Sequence, residues 1–154
     1  MKKTLSIILA ILMIVSATPM ALAIYDDEPV YTSGDYSYFF DEEGRAIIYS
    51  YSGTEKDVVV PAQLDGNDIY GIDHYVFQDN QYIETAVVSE GIEIMGGDVF
   101  DNCQALKSIV IPDSVTELSA DCNFGTISNC PELETVTLGK NLYGLNINKD
   151  NIMR

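Results

Sequence analysis

The sequence predicts a β-rich repeat solenoid with short parallel strands, because one apolar phrase returns along the second half of the chain. The phrase recurs with steps of 23 and 27 residues, as Ile83-x-x-Ala86-x-Val88, Leu106-x-x-Ile109-x-Ile111 and Leu133-x-x-Val136-x-Leu138. Self-similarity at such a period indicates stacked units, each of which covers the apolar face of its neighbour. This architecture presents a surface, but it does not identify the partner.

Residues 1–23 predict a secretory signal peptide. Two lysines precede the apolar run 5–15, Pro19 interrupts that run, and residues 21–23 form an A-x-A cleavage site. An uncleaved anchor is the alternative, since weakly apolar residues continue to Ile24 and approach the roughly 20 residues of a membrane span. Either interpretation predicts a secreted or cell-surface location, and cleavage would leave no membrane span.

Three further segments follow the signal. Residues 24–35 are polar, contain Pro and Gly, and predict a short tether. Residues 36–61 predict a β-hairpin and the first strand, because two β-rich runs flank the Gly-containing turn 41–44. This N-terminal β-hairpin is expected to cap the first coil of the solenoid. Residues 62–154 contain the repeats, of which the last is incomplete.

Four columns of equivalent positions run through the repeats, with a period of 23 residues between Ile72 and Leu118. The columns are Ile69, Ile92, Val115 and Leu142; Ile72, Met95 and Leu118; Phe77 and Phe100; and Asn80, Cys103 and Cys130. Two insertions, at 64–68 and between Leu118 and Cys130, are expected to form surface loops. After the second insertion, either Phe124 or Ile127 fills the position of Phe100.

The unit LKSIVIPDSVTEL at 106–118, with Phe100-x-x-Cys103 before it, resembles the BspA-type (Treponema pallidum-type) leucine-rich repeat. The resemblance covers about residues 57–145. It implies a short right-handed solenoid with a parallel strand in each repeat of about 23 residues. It also implies surface or secreted proteins of host-associated bacteria, some of which bind host proteins. Ser89 and Gly139 depart from the motif, because they occupy the repeat position at which Pro112 supplies the expected proline.

Alternate residues of each repeat strand are expected to point away from the core. They form the candidate protein-binding face, which comprises Asp57, Val59, Thr85, Val87, Ser89, Ser108, Val110, Pro112, Thr135 and Thr137. Small apolar and hydroxyl side chains make a flat surface that suits another protein. The alternative is that valine and threonine are simply good strand residues, and that loops or the hairpin carry the binding.

The composition limits the partners. The chain has 24 acidic and 8 basic residues, for a net charge of −16. Nucleic acid and anionic membranes are disfavoured, since both attract basic surfaces. Basic protein patches and cations are better suited, although acidic charge also serves solubility alone.

Three cysteines in an exported chain cannot all pair internally. Cys103 and Cys130 share one repeat position, whereas Cys122 lies in the second insertion. The pair is expected to fill the core as small buried residues, with a disulfide as the alternative. No CxxC or CxxH spacing indicates a metal.

No catalytic pattern is evident, and neither an enzyme nor a cofactor is expected. His74 is the single histidine and is expected in an exposed loop. The Asp65–Asp68 stretch lacks the EF-hand spacing. The expected function is adhesion or recognition of a host or partner protein. The alternative is a structural or accessory module that associates with another bacterial chain, or with itself, through its open C-terminal edge.

Overall fold

The computed structural model describes residues 29–118 and 125–142, and the regular structure within these ranges is entirely β-strand. In chain order the strands are β1 Tyr31–Ser33, β2 Tyr36–Phe40, β3 Ala46–Tyr51, β4 Asp57–Val60, β5 Gln63–Leu64, β6 Asn67–Ile72, β7 Thr85–Val88, β8 Ile94–Met95, β9 Phe100–Asp101, β10 Ser108–Val110, β11 Glu117–Leu118, β12 Ile127–Ser128 and β13 Thr135–Thr137.

The strands form the sides of a solenoid, which confirms the predicted fold class. One sheet has the order β4-β7-β10-β13 and is parallel throughout. A second sheet has the order β1-β2-β3-β6-β8-β11, in which β3, β6, β8 and β11 are parallel. The pair β9 and β12 forms a third, short side. Each full coil therefore contributes one strand to each side, and the apolar core lies between the sides.

The strand register reproduces the repeat columns. Ile72 lies opposite Met95, and Met95 lies opposite Leu118. Ile127 lies opposite Phe100 and is buried, so Ile127 fills the position that the sequence left open. Phe124 lies outside the described residues. The column of Ile69, Ile92 and Val115 is fully buried.

A row of aromatic rings in mutual contact joins the hairpin to the core. The ring centroids of Tyr36 and Tyr51 are 4.9 Å apart, and those of Tyr51 and Phe77 are 5.1 Å apart. Phe77 then lies parallel to Phe100 at 4.8 Å. The Tyr36 hydroxyl also donates to the carbonyl of Val59, at the edge of β4. The hairpin β2–β3 thus covers the first coil, as a cap must.

Two local predictions are wrong. Tyr31–Ser33, placed in the tether, is a strand that pairs antiparallel with β2. The first insertion is a hairpin of β5 and β6 rather than a loop, with a tight turn at Asp65 (φ 52°) and Gly66 (φ 83°). Leu64 is buried, and the Asp65 carboxylate accepts hydrogen bonds from Ser33 and Tyr38. The insertion therefore stabilises the cap through these hydrogen bonds. The second insertion falls largely outside the described residues.

Gly139 is required by a close approach between neighbouring coils. A Cβ atom there would collide with the carbonyl oxygen of Pro112 and lie 2.8 Å from the Cα of Asp113. Backbone atoms cannot rotate away, so the two coils would have to separate. This contact explains why glycine replaces the proline of the motif.

We expect Gly139→Ala to lower the free energy of unfolding by about 1–3 kcal/mol, the usual cost of overpacking. Urea unfolding followed by circular dichroism measures the change, with the exposed Glu132→Ala as a control that leaves stability within about 0.5 kcal/mol. A Gly139→Ala protein as stable as this control would contradict the close approach.

Candidate protein-binding face

Eight of the ten residues predicted for the face come together on the β4-β7-β10-β13 sheet. They form two columns in register, Asp57–Thr85–Ser108–Thr135 and Val59–Val87–Val110–Thr137. Val59 is 63% exposed and Val87 is 38% exposed. The alternate residues Ala86, Val88 and Ile109 are buried in the core. We call these eight residues the strand face.

The other two predicted residues do not belong to it. Pro112 is buried and Ser89 is half-buried. Both follow the ends of their strands, where the chain turns inward and the alternation of a strand no longer applies. The Ser89 N–H donates to the carbonyl of Val60, and the Pro112 carbonyl accepts from the Val115 N–H. Gly139 of the next coil lies against Pro112.

A ladder of alternating charge borders the strand face where its strands begin. Lys56, Glu84, Lys107 and Glu134 each precede the first residue of a strand. Glu84 bridges the ammonium groups of Lys56 and Lys107, each at 2.5 Å. The hydrogen bonds from Lys107 and Lys56 lower the pKa of Glu84 to about 2. Repeat alignment could have found this ladder, because its members share one repeat position.

The Glu84 bridge predicts a specific dependence of stability on pH. Because its pKa falls from 4.5 to about 2 on folding, the unfolded chain binds more protons between these values. The bridge therefore stabilises the fold above pH 4.5, and its contribution disappears as the pH falls towards 2. We expect Glu84→Gln to flatten the urea midpoint against pH in this interval.

The salt dependence of stability distinguishes the contribution of the Glu84 bridge from that of other acidic groups. The difference between wild type and Glu84→Gln should shrink at 1 M NaCl, because exposed ion pairs are screened. Glu42→Gln, at an exposed carboxylate outside the bridge, should leave the pH profile parallel to the wild type. Identical slopes for Glu84→Gln and wild type would contradict the bridge.

A second row of polar contacts borders the face where its strands end. The Glu90 carboxylate accepts hydrogen bonds from the N–H groups of Asp113 and Ser114. Lys140 forms an ion pair with Asp113 at 2.5 Å, and its hydrogen bonds lower the pKa of the Asp113 carboxyl. The strand face is therefore a strip of hydroxyl and apolar side chains between two rows of charged side chains, most of which form ion pairs or hydrogen bonds. Only Asp57 brings a carboxylate into the strip, and it accepts the Thr85 hydroxyl at 2.6 Å.

The two repeat cysteines lie in the core as free thiols, as the first of the two sequence interpretations expects. Cys103 and Cys130 are buried, and their Sγ atoms donate to the carbonyls of Phe77 and Phe100. The hydrogen bond to Cys130 and burial both raise the pKa of the Cys103 thiol. Cys122 lies outside the described residues.

His74 was expected in an exposed loop, but it is half-buried. Its Nδ1 accepts the N–H of Gly97 at 3.0 Å, which ties two neighbouring coils together. Across residues 29–118 and 125–142, no group of three His, Cys, Asp or Glu side chains is arranged to hold a metal ion. Within the same ranges, no helix is long and apolar enough to span a membrane.

Comparisons with solved structures give the same fold. A leucine-rich repeat protein of T. pallidum aligns with a TM-score of 0.62 and 21% identity, over 74% of this chain and 52% of that one. One from Bacteroides ovatus aligns with a TM-score of 0.58 and 26% identity, over 77% and 30%. A leucine-rich cell surface protein from Faecalibacterium prausnitzii has a TM-score of 0.51 and 19% identity, over 76% and 44%. The chain thus spans about a third to a half of each.

No curated protein matches the chain, but a protein family does. The family described as BspA type leucine rich repeat region matches residues 70–149, which is more than half of the chain. The matched part contains strands β7 to β13 and most of the strand face. The chain belongs to the BspA-type leucine-rich repeat family.

Proposed function

We propose that this chain is an exported protein-binding module, secreted or at the cell surface, that recognises a host or partner protein through its strand face in adhesion. The observation that carries the proposal is the pair of outward-facing columns in register across four strands. The F. prausnitzii neighbour is described as a cell surface protein, which supports the location. The predicted signal peptide, 1–23, supports export.

The strand face suits protein binding for a physical reason. Its backbone is already fixed by parallel strand pairing. Binding would therefore cost the strand face little conformational entropy. Val59, Val87 and Val110 offer an apolar centre, while the charged rows stand at the rim. An apolar centre within a polar rim is the usual arrangement of a specific interface.

A binding screen tests the proposal. The full chain, displayed on a biosensor, would be presented with host matrix proteins and mucins, and Val87→Glu/Val110→Glu would be screened in parallel. We expect saturable binding to one of these ligands that the double variant loses by at least tenfold. Binding that the folded double variant retains in full would show that another surface is used.

A second candidate function is association with another bacterial chain through the C-terminal edge of the solenoid. Val136 and Leu138 are half-buried, whereas the equivalent Ile109 and Ile111 are almost fully buried. This difference favours a partner at the last described coil. Light scattering over a hundredfold range of protein concentration tests self-association. A constant monomer mass would exclude self-association and leave a different chain as the partner of this edge.

A further inference from the structure

A second surface, on the opposite sheet, has an apolar indentation. Four residues of this sheet lie in register and on its outer side, in the order Ile47, Gly71, Ile94 and Glu117. Phe39 lies opposite Ile47 on the neighbouring strand β2. The row is thus apolar up to its last member, and the side chains of Ile47 and Ile94 occupy the space above the glycine.

Ile47, Ile94 and Glu117 of this row line a cavity of about 310 Å³. A Cβ atom at Gly71 would lie 2.5 Å from the Cγ1 of Ile94 and 3.3 Å from the Cδ1 of Ile47, so the two isoleucines close in over the glycine. The outward-facing apolar side chains of its lining are Phe39, Ile47 and Ile94. A volume of this size, with apolar walls and a few polar groups at one place, suits a side chain or small ligand.

The ionisable groups around the cavity are Asp41, Asp73, His74 and Glu117, and the described part of the chain places no lysine or arginine in its lining. Asp41 is already paired with Arg45 at 2.6 Å. Asp73 uses one oxygen to accept the His74 N–H. The mouth of the cavity therefore carries a net negative charge from Asp73 and Glu117.

We propose that this cavity receives the side chain of a lysine or arginine of a partner protein. The aliphatic stem would lie against Ile47 and Ile94, and the cationic head would reach Asp73 and Glu117. Long basic side chains bind in this way, because the stem is apolar while the head stays near water. The chain's net charge of −16 favours such a partner electrostatically. The cavity and the strand face lie on different sheets, so this proposal does not rest on the proposed function.

Side-chain mimics provide the test. The ¹⁵N-labelled full chain would be titrated with n-butylguanidinium and n-butylammonium, with 1-butanol as the uncharged control. We expect saturable shifts of the Ile94 and Gly96 amides, with dissociation constants of about 1–10 mM and at least fivefold weaker binding of 1-butanol. The peptide Ac-Ala-Arg-Ala-NH₂ should bind at least as tightly as n-butylguanidinium.

Variants locate the site. Asp73→Asn/Glu117→Gln should weaken binding of the arginine peptide at least fivefold, and the asparagine keeps the acceptor for the His74 N–H. The control Glu55→Gln/Glu132→Gln removes the same charge from exposed positions outside the cavity lining and should change binding less than twofold. Equal losses in both double variants, equal binding of 1-butanol, or tighter binding of spermidine than of the peptide would overturn the proposal.

Discussion

Replacing Phe77 by alanine is expected to lower the free energy of unfolding by about 3–5 kcal/mol, the usual cost of deleting a buried aromatic ring. Phe77 is 1% exposed and lies between Tyr51 of the cap and Phe100 of the next coil. Its loss removes the shared contact of three consecutive layers. The cap would keep its strand pairing but lose its packing on the core.

The size of the effect separates stacking from simple burial. Phe77→Leu keeps most of the apolar volume and should cost less than half as much as Phe77→Ala in urea unfolding. Limited proteolysis should also cut the hairpin turn at 41–44 faster in Phe77→Ala than in wild type. A loss below 1 kcal/mol for Phe77→Ala would contradict a continuous stack from cap to core.

Glutamate substitutions at two adjacent valines of β7 are expected to differ most in their effect on stability. Val88 is 1% exposed and points into the solenoid, whereas Val87 is 38% exposed on the strand face. A glutamate at Val88 would bury an unpaired carboxylate, which costs several kcal/mol. Because a domain of this size is stable by only about 5–15 kcal/mol, we expect Val88→Glu to abolish cooperative folding. Val87→Glu should remain within about 0.5 kcal/mol of wild type.

Near-ultraviolet circular dichroism and thermal unfolding measure this contrast. The expected result is a cooperative transition for Val87→Glu and none for Val88→Glu. Two folded variants of equal stability would show that the strand does not separate a core side from a surface side at this position.

The repeats could be predicted because each position is fixed by its neighbours. A strand residue such as Ile109 packs against Ala86 and Val136 of the adjacent coils, so its apolar character returns with the period of the coil. The same logic gives the exposed columns, since alternation places Val110 on the side opposite to Ile109. The ladder around Glu84 follows the same period, because its members share one repeat position.

Features that break the period could not be predicted in this way. The pairing of β1 with β2, and of β5 with β6, depends on contacts of Asp65 with Ser33 and Tyr38 across about thirty residues. The burial of Pro112 depends on Gly139 in the next coil. The approach of Ile47 to Gly71 arises from parallel pairing of β3 with β6, which joins a cap strand to a repeat strand. No local pattern announces any of these contacts.

A scan along one column tests the central claim that the strand face binds the partner. Val59→Glu, Val87→Glu, Val110→Glu and Thr137→Glu would be measured singly by titration calorimetry against the ligand that the screen identifies, with Thr116→Glu as an exposed control outside the face. We expect weaker binding for all four, with the largest losses at the central Val87 and Val110, and no change for Thr116→Glu. Wild-type affinity in all four column variants would contradict the central claim.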